Sequence, residues 1–249
     1  MAFYDQAEFD VRCEWGLKAI EVLAPISDVV VIVDILSFST AIEVATGRGA
    51  QVFPYRWKDE SANEYAKSIS AELADTSRTK GRWSLSPASL LSIPKNTKLV
   101  LPSPNGSTLS LATGKTPTLA GSLRNAQAIA DACQNFGKRI SIVAAGEKWS
   151  DGSLRPALED WIGAGAIISF LKGSLSPEAE SAKEAFLSAK DSLAGKLRQC
   201  SSGKELIERG FETDVEFATE LNVSTGVPTL KGGCYVSTTL TPTELKAPL

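Results

Sequence analysis

The sequence predicts an α/β fold, in which a largely parallel or mixed sheet lies between two layers of helices as a three-layer α/β/α sandwich. Two observations predict it. Strand-like and helix-like segments alternate along the chain, and the strongest strand, 28–36, is apolar throughout its middle. A strand without polar alternation is typical of one buried on both faces. With 249 residues, the chain can form one domain over 1–249, or two lobes over 1–115 and 116–249.

The other elements follow this strand in order. The next element is a helix over 39–46, with hydroxyl residues at its start and Gly47 at its end. Hydroxyl residues are favoured at helix starts and glycine is favoured at helix ends. The remaining predictions are strands over 51–55, 97–101, 118–120 and 139–145, extended pieces over 227–230 and 234–236, a polar loop over 148–155, and helices over 59–73, from 123, over 157–168 after Pro156, over 176–210 with a break at Gly203, and over 215–221.

Composition excludes several classes of protein. The chain has no histidine, which excludes Ser-His-Asp and Cys-His catalysis, phosphohistidine chemistry and imidazole metal ligands. A net charge of −3 at pH 7 gives no basic signal for nucleic acid. The apolar runs are too short to span a bilayer and the first residues lack a secretion signal pattern, so we expect no membrane partner and a cytoplasmic protein.

The four cysteines are far apart and form no C-x-x-C pair, so we expect reduced, buried thiols. Cys133 and Arg139 match the spacing C-x5-R of cysteine phosphatases. In those enzymes the thiolate lies in a loop before a helix, whereas Cys133 falls near the end of a predicted helix. We interpret this match as a coincidence.

Small or polar residues follow four predicted strands. They are Asp34 with Ser37, Ser39 and Thr40; Asn105, Gly106 and Ser107; Gly121, Ser122 and Asn125; and Gly146 with Glu147. In open α/β sheets, ligands bind beyond the carboxyl ends of the strands, where helix N-termini offer free N–H groups to phosphate or carboxylate. Helix capping alone explains any one of these hydroxyl residues, but four such turns together favour an anion site.

Asp34 ends an otherwise apolar strand, where an unpaired carboxylate would be costly. It should therefore meet a cation, a metal or several donors. Mg²⁺ suits such a site because it needs only one or two protein carboxylates. Glu159 and Asp160 are the other candidate ligands, although neighbours on a helix point about 100° apart and both are not expected to face one ion. The alternative is a favourable charge pair at a helix N-terminus.

A series of short motifs runs in one order over most of the chain. It comprises residues 33–40, 49–50, 86–87, 105–107, 121–126, 145–146, 158–167 and 210–215. This ordered set resembles the 2-phosphosulfolactate phosphatase family. The resemblance implies a three-layer α/β/α fold and a Mg²⁺-dependent phosphomonoesterase, which converts 2-phospho-3-sulfolactate to 3-sulfolactate on the way to coenzyme M.

The resemblance also implies site residues. By motif, the active-site candidates are Asp34, Asn105, Ser122, Asn125, Glu159 and Asp160, with Glu147 added from its position. Mg²⁺ would be held by Asp34 and by Glu159 or Asp160. The phosphate oxygens would be held at Asn105, Gly106, Ser107, Ser122 and Asn125.

The chain departs from the family pattern where positive charge is expected. Ser37 stands where the family typically has arginine, and the family's Gly-Glu-Arg segment is not recognisable in 75–82. Arginine there would suit bidentate binding of phosphate or sulfonate. Arg124 and Arg155 are the candidates to supply that charge. The loop over 147–155 is also longer than in the typical member.

The sequence thus predicts a hydrolase of a small anionic phosphorylated acid. The alternatives are a protein of this fold that binds a small anion without turnover, and a scaffold protein that binds none. A homodimer is the default expectation, because two-fold dimers are the commonest soluble assemblies.

Overall fold

The computed structural model describes residues 2–237. Its strands are Val11–Trp15 (β1), Val29–Val33 (β2), Gln51–Tyr55 (β3), Glu72–Leu73 (β4), Lys98–Pro102 (β5), Thr118–Gly121 (β6), Ile140–Ala144 (β7), Glu147–Lys148 (β8), Leu154–Arg155 (β9), Pro228–Lys231 (β10) and Cys234–Ser237 (β11). Its helices are Gly16–Leu23 (α1), Phe38–Gly47 (α2), Glu60–Ser68 (α3), Gly106–Ser110 (α4), Ala126–Phe136 (α5), Leu158–Ile168 (α6), Pro177–Ala189 (α7), Leu193–Gln199 (α8), Ser201–Glu208 (α9) and Glu212–Ala218 (α10). Short 3₁₀ helices lie at Ala24–Ile26, Pro87–Ser92, Leu123–Asn125 and Lys190–Ser192.

Within residues 2–237, nine strands form one mixed sheet in the order β1-β7-β2-β6-β10-β11-β3-β5-β4. The first four of these strands are parallel to one another, and so are β3, β5 and β4. The antiparallel hairpin β10–β11 joins the two parallel groups through single antiparallel pairs, Thr229 with Leu119 and Tyr235 with Val52. β8 and β9 form a separate antiparallel ribbon. This arrangement confirms the predicted α/β fold.

Strand β2 shows why the fold has helices on both faces of the sheet. All five of its residues are fully buried, and successive side chains point to opposite faces. Val29, Val31 and Val33 belong to the hydrophobic core that includes α5, α6 and α7. Val30 and Ile32 pack in a separate core with α1. The unbroken apolar run in the sequence is therefore the consequence of burial from both sides.

Helix α6 carries Glu159 and Asp160 in its first turn, and its position depends on close packing against α7. Gly165 of α6 faces the α7 backbone, and a Cβ at this position would overlap the carbonyl oxygen of Ala182. Gly163, two residues earlier on the same helix, lies against Ile35, where a Cβ would come within 2.5 Å of Ile35 Cδ1. These two glycines let α6 approach both α7 and the turn after β2.

Three parts of the sequence prediction are wrong in detail. The helix predicted over 59–73 ends at Ser68, because the chain turns at Ser70, which has φ +51, and residues 72–73 form the edge strand β4. Gly203 is not a break, since it lies inside α9, and the helices are interrupted instead at Cys200, whose backbone is extended. The polar loop contains the β8–β9 ribbon. Strand β1 and helix α1 were not predicted at all.

Two exclusions made from the sequence can be compared with the structure. Cys133 lies buried inside α5, not in a loop before a helix, and burial raises the pKa of its thiol. Both findings argue against a cysteine phosphatase. Over residues 2–237, none of the helices has the length and apolar character needed to cross a membrane.

The packing of α6 on α7 predicts a matched pair of glycine substitutions. Gly165→Ala should lower the free energy of unfolding by about 1–3 kcal/mol, since the new methyl group must displace the backbone of α7. Gly195→Ala, in the interior of α8, should be neutral or stabilise by up to about 1 kcal/mol, because a Cβ there meets no atom within 4 Å. Urea unfolding measures both values, and equal effects of the two substitutions would contradict the packing described for α6.

Candidate active site

The turn after β2 places Asp34 between the starts of two helices. Its carboxylate is 6% exposed. Oδ1 accepts a hydrogen bond from Phe38 N–H at 3.1 Å, and Oδ2 accepts one from Gly106 N–H at 3.0 Å. Phe38 begins α2 and Gly106 begins α4, so N–H groups from two helix N-termini stabilise the charge of one buried carboxylate.

Gly106 is required for this contact. A Cβ at Gly106 would overlap the Phe38 ring and come within 2.8 Å of Asp34 Oδ2. The absence of a side chain lets the backbone of α4 reach the carboxylate directly. Glycine is therefore needed at position 106 because α4 approaches Asp34 closely there.

Asp160 joins the turns that follow β2 and β7. Its Oδ1 accepts from Ile35 N–H at 2.8 Å and its Oδ2 accepts from Gly146 N–H at 2.9 Å. Gly146 has φ +68, a conformation that favours glycine. The Asp160 carboxylate is buried, and the pKa of its carboxyl is raised, first by burial and next by the charge of Asp34. Asp160 thus holds two strand ends together.

A cavity of about 140 Å³ opens beside Asp34. The residues that line it are Asp34, Leu36, Ser37, Lys58, Arg78, Leu85, Ser103, Pro104, Asn105, Glu147, Ser202, Glu205, Leu206 and Arg209. Four of the predicted site residues, Asp34, Ser37, Asn105 and Glu147, come together here. Carboxylates and cations share one small space, which is suited to an anionic ligand together with a cation.

Asn105 and Glu147 form one wall of the cavity, with Asn105 Nδ2 donating to Glu147 Oε2 at 2.8 Å. Burial raises the pKa of Glu147 to about 7, and the negative charge of Asp34 adds to this effect. Burial likewise raises the pKa of Asp34 to about 6, although the N–H groups of Phe38 and Gly106 oppose the shift. The negative charge of Glu159 also raises the pKa of Asp34, so ionisation of the carboxyl groups beside the cavity is disfavoured when no cation is bound near them.

Arg78 supplies a guanidinium that sequence reasoning missed. It comes from the segment 75–82, in which the family's arginine was not recognised, and its side chain is 8% exposed. Nη1 lies 3.3 Å from Asp214 Oδ2, Nη2 donates to Ser37 Oγ at 3.2 Å, and the guanidinium carbon lies 5.2 Å from the centre of the Phe211 ring. A guanidinium therefore lies against the Ser37 hydroxyl, although the residue at position 37 carries no charge itself.

Asp214, in the family motif 210–215, explains why a cation lies here, although its burial is visible only in the structure. The Asp214 carboxylate is buried and also accepts from Ser86 Oγ at 2.6 Å and from Ala88 N–H at 3.2 Å. Buried charges of this kind are normally paired. Two motifs, 86–87 and 210–215, therefore meet around one carboxylate, and that carboxylate required a cation from elsewhere in the chain.

Several predicted residues lie outside the residues that line this cavity. Ser107 Oγ donates to Leu101 O at 3.1 Å. Asn125 Oδ1 accepts from Ser122 N–H and Oγ at 2.8 and 2.9 Å, as in a capping box, while Asn125 Nδ2 donates to Gly226 O at 3.0 Å. Their polar groups are committed within the protein, as the capping alternative predicted.

The two arginines predicted to supply charge have different surroundings. Arg124 Nε lies 2.8 Å from Glu43 Oε2, and the guanidinium also contacts Glu220 and stacks 3.7 Å from the centre of the Phe217 ring. These contacts hold Arg124 away from the cavity. Arg155, in contrast, flanks it, because Arg155 Nη2 donates to the Ser202 hydroxyl at 3.3 Å.

The cavity offers a different carboxylate pair for Mg²⁺ from the one expected. Over residues 2–237, no cluster of three or more His, Cys, Asp or Glu residues could hold a metal ion. Mg²⁺ takes most of its ligands from water and substrate phosphate and needs only one or two protein carboxylates. Asp34 and Glu147 line the cavity, whereas Glu159 and Asp160 are buried and are not among the residues that line it. Asp34, with Glu147 near it, fits the ion.

Comparison with known proteins agrees with the motifs. The family model described as 2-phosphosulpholactate phosphatase matches residues 19–233. The 2-phosphosulfolactate phosphatase of Methanothermobacter thermautotrophicus is 28% identical over 83% of this chain and 88% of its own length. Two proteins named as probable 2-phosphosulfolactate phosphatases are also similar. The one from Carboxydothermus hydrogenoformans is 32% identical over 80% of this chain and 84% of its own length. The one from Thermotoga maritima is 28% identical over 86% of this chain and 96% of its own length. The chain therefore belongs to the 2-phosphosulfolactate phosphatase family, a family of phosphoric monoester hydrolases, as its motifs predicted.

Proposed function

We propose that this protein hydrolyses 2-phospho-3-sulfolactate to 3-sulfolactate and phosphate, with Mg²⁺ bound in the cavity beside Asp34. The observation that supports this most is the cavity itself, which is lined by the carboxylates of Asp34 and Glu147 and by the guanidinium of Arg78. The names of the relatives supply the substrate. Homodimeric assembly, a cytoplasmic location and a role in coenzyme M synthesis remain predictions from the sequence.

In this proposal each residue has a separate task. Asp34 would hold Mg²⁺, which neutralises charge on the transferring phosphoryl group when it is bound. The N–H groups of Phe38 and Gly106 fix the orientation of the Asp34 carboxylate. Arg78 binds anionic oxygens of the substrate, and its position is set by Asp214. Phosphoryl transfer has a loose transition state, so such positioning and electrostatic stabilisation supply most of the catalysis.

Proton transfer falls to a carboxyl group, because the chain has no histidine. Glu147 lines the cavity and has a pKa of about 7, so it can hold or release a proton near neutral pH. Asn105 Nδ2 keeps the Glu147 side chain in place through the hydrogen bond to Oε2. Glu147 is thus the residue we assign to exchange a proton with the attacking water or the leaving alkoxide.

Phosphate release tests the proposal directly. Racemic 2-phospho-3-sulfolactate and a panel of other 2-phosphorylated acids are incubated with the protein in Mg²⁺ and in EDTA. We expect release that needs Mg²⁺ and is fastest with the sulfonated substrate. If no acid in the panel is hydrolysed while 3-sulfolactate raises the melting temperature, the protein binds a small anion without turnover, and the proposal is wrong.

Two aspartates separate catalysis from stability. Each carboxylate accepts from two backbone N–H groups, so Asp34→Asn and Asp160→Asn should each cost about 1–3 kcal/mol of stability, since one N–H partner loses its acceptor. Asp34→Asn should also reduce kcat by about 10³-fold or more in the folded protein, because the ligand charge is lost, whereas Asp160→Asn should reduce kcat by no more than about tenfold. Full activity in Asp34→Asn would refute the assignment of Asp34.

The raised pKa of Glu147 predicts a pH effect on the stability of the metal-free protein. A carboxyl whose pKa is higher in the folded than in the unfolded state stabilises at low pH, and this contribution is lost as pH rises through the folded value of about 7. In EDTA, Glu147→Gln should therefore be more stable than wild type by on the order of 2 kcal/mol at pH 8 and equal to it at pH 5.

Urea unfolding at the two pH values measures this difference. Glu208→Gln, an exposed position on α9, gives the baseline for the loss of one surface charge. Saturating Mg²⁺ should reduce the gap at pH 8, because the ion favours the ionised carboxyl groups of the cavity. An equal gap at pH 5 and pH 8 would contradict the repulsion described between Glu147 and Asp34.

A further inference from the structure

We infer that Lys58 is the specificity-determining residue of the site and binds the acidic group of the substrate that lies farthest from the phosphate, the sulfonate of 2-phospho-3-sulfolactate. This inference rests on the proposed function for its substrate. Lys58 lies between β3 and α3, outside every motif that identified the family.

The charges that line the cavity distinguish Lys58 from the other cations. Arg78 is paired with Asp214 at 3.3 Å, and Arg209 is paired with Glu205 at 3.1 Å. Among residues 2–237, no hydrogen bond or ion pair is made by the Lys58 ammonium, although it lines the same cavity. Lys58 is therefore the cavity cation whose charge is left for a ligand to neutralise.

Lys58 lies at the mouth of the cavity, since it lines the cavity while the residue as a whole is exposed. Partial burial and the positive charge of Arg78 lower the pKa of its ammonium, while the negative charges of Glu147 and Asp34 oppose the shift. A cation in this position gains more from an anionic ligand than a fully solvated surface lysine does, because less water surrounds it.

The positions of the two cations indicate which acidic group each one binds. A guanidinium is a planar fork that binds carboxylate or sulfonate, and an ammonium is a compact charge with three donors that can contact the three oxygens of a pyramidal sulfonate, so the positions of the two cations decide the assignment. Arg78 contacts Ser37, in the turn that follows Asp34. In the substrate, the carboxylate is attached to the carbon that carries the phosphate, and the sulfonate is one carbon farther away. The carboxylate therefore falls to Arg78, and the sulfonate to Lys58 at the mouth.

Substrate discrimination tests this assignment. We compare two substrates, 2-phospho-3-sulfolactate and 2-phospholactate, which has a methyl group in place of the sulfonated carbon. The ratio of their kcat/KM values, sulfonated over unsulfonated, is measured for wild type, Lys58→Met and Lys58→Arg. We expect Lys58→Met to lower this ratio about tenfold, the loss of one charge-assisted contact, and Lys58→Arg to recover most of it. Lys67→Met, an exposed lysine in the last turn of α3, should leave the ratio unchanged.

The outcomes separate the inference from the proposed function. Equal losses for both substrates in Lys58→Met, or an unchanged ratio, would overturn the inference. Calorimetric titration with 3-sulfolactate and with lactate provides a readout that needs no turnover. If wild type releases no phosphate, but its preference for 3-sulfolactate over lactate disappears in Lys58→Met, the proposed function is wrong and the assignment of Lys58 stands. A preference that persists in Lys58→Met overturns the assignment.

Discussion

Two buried carboxylates hold the site together through backbone N–H groups. Asp34 joins the start of α4 to the turn after β2, and Asp160 joins that same turn to the turn after β7. Strands β2 and β5 are not neighbours in the sheet, so strand pairing alone would not bring their ends together. Because Asn105 precedes Gly106 and Glu147 follows Gly146, these few hydrogen bonds also determine where the side chains of the cavity lie.

This arrangement has an electrostatic cost that the rest of the site offsets. Ionised carboxylates in a desolvated space are unfavourable without partners, and Asp34, Glu147 and Asp160 all have raised pKa values for this reason. Backbone N–H groups partly compensate both Asp160 and Asp34, and Asp34 and Glu147 also line an open cavity. A bound divalent cation would favour ionisation of both, so the folded protein is arranged to gain stability from the ligand that the proposed reaction uses.

The sequence was informative where the signal is local and weak where the contact is distant. The β2 strand, Asp34 and Gly106 were predictable, because burial on both faces and a helix start leave marks within a few residues. Hydroxyl residues were ambiguous, and the hydrogen bonds of Ser122 and Asn125 are those of a helix cap. Arg78 was missed because its partner Asp214 is 136 residues away, and no periodicity or spacing connects the two.

The contact between Ser37 and Arg78 shows how a charged group reaches a site from a distant segment of the chain. A guanidinium acts through the position of its N–H groups, and a long side chain can reach that position from a different segment. Here Ser37 accepts a hydrogen bond from Arg78, and Asp214 holds the guanidinium in place. Asp214 also neutralises the charge of Arg78, so the net positive potential of the cavity depends on cations that have no such partner. In our proposals, Asp34 acts on the reacting phosphate through Mg²⁺, whereas Arg78 and Lys58 bind the other acidic groups of the substrate. The residues that bind those groups can therefore change while the family fold is retained.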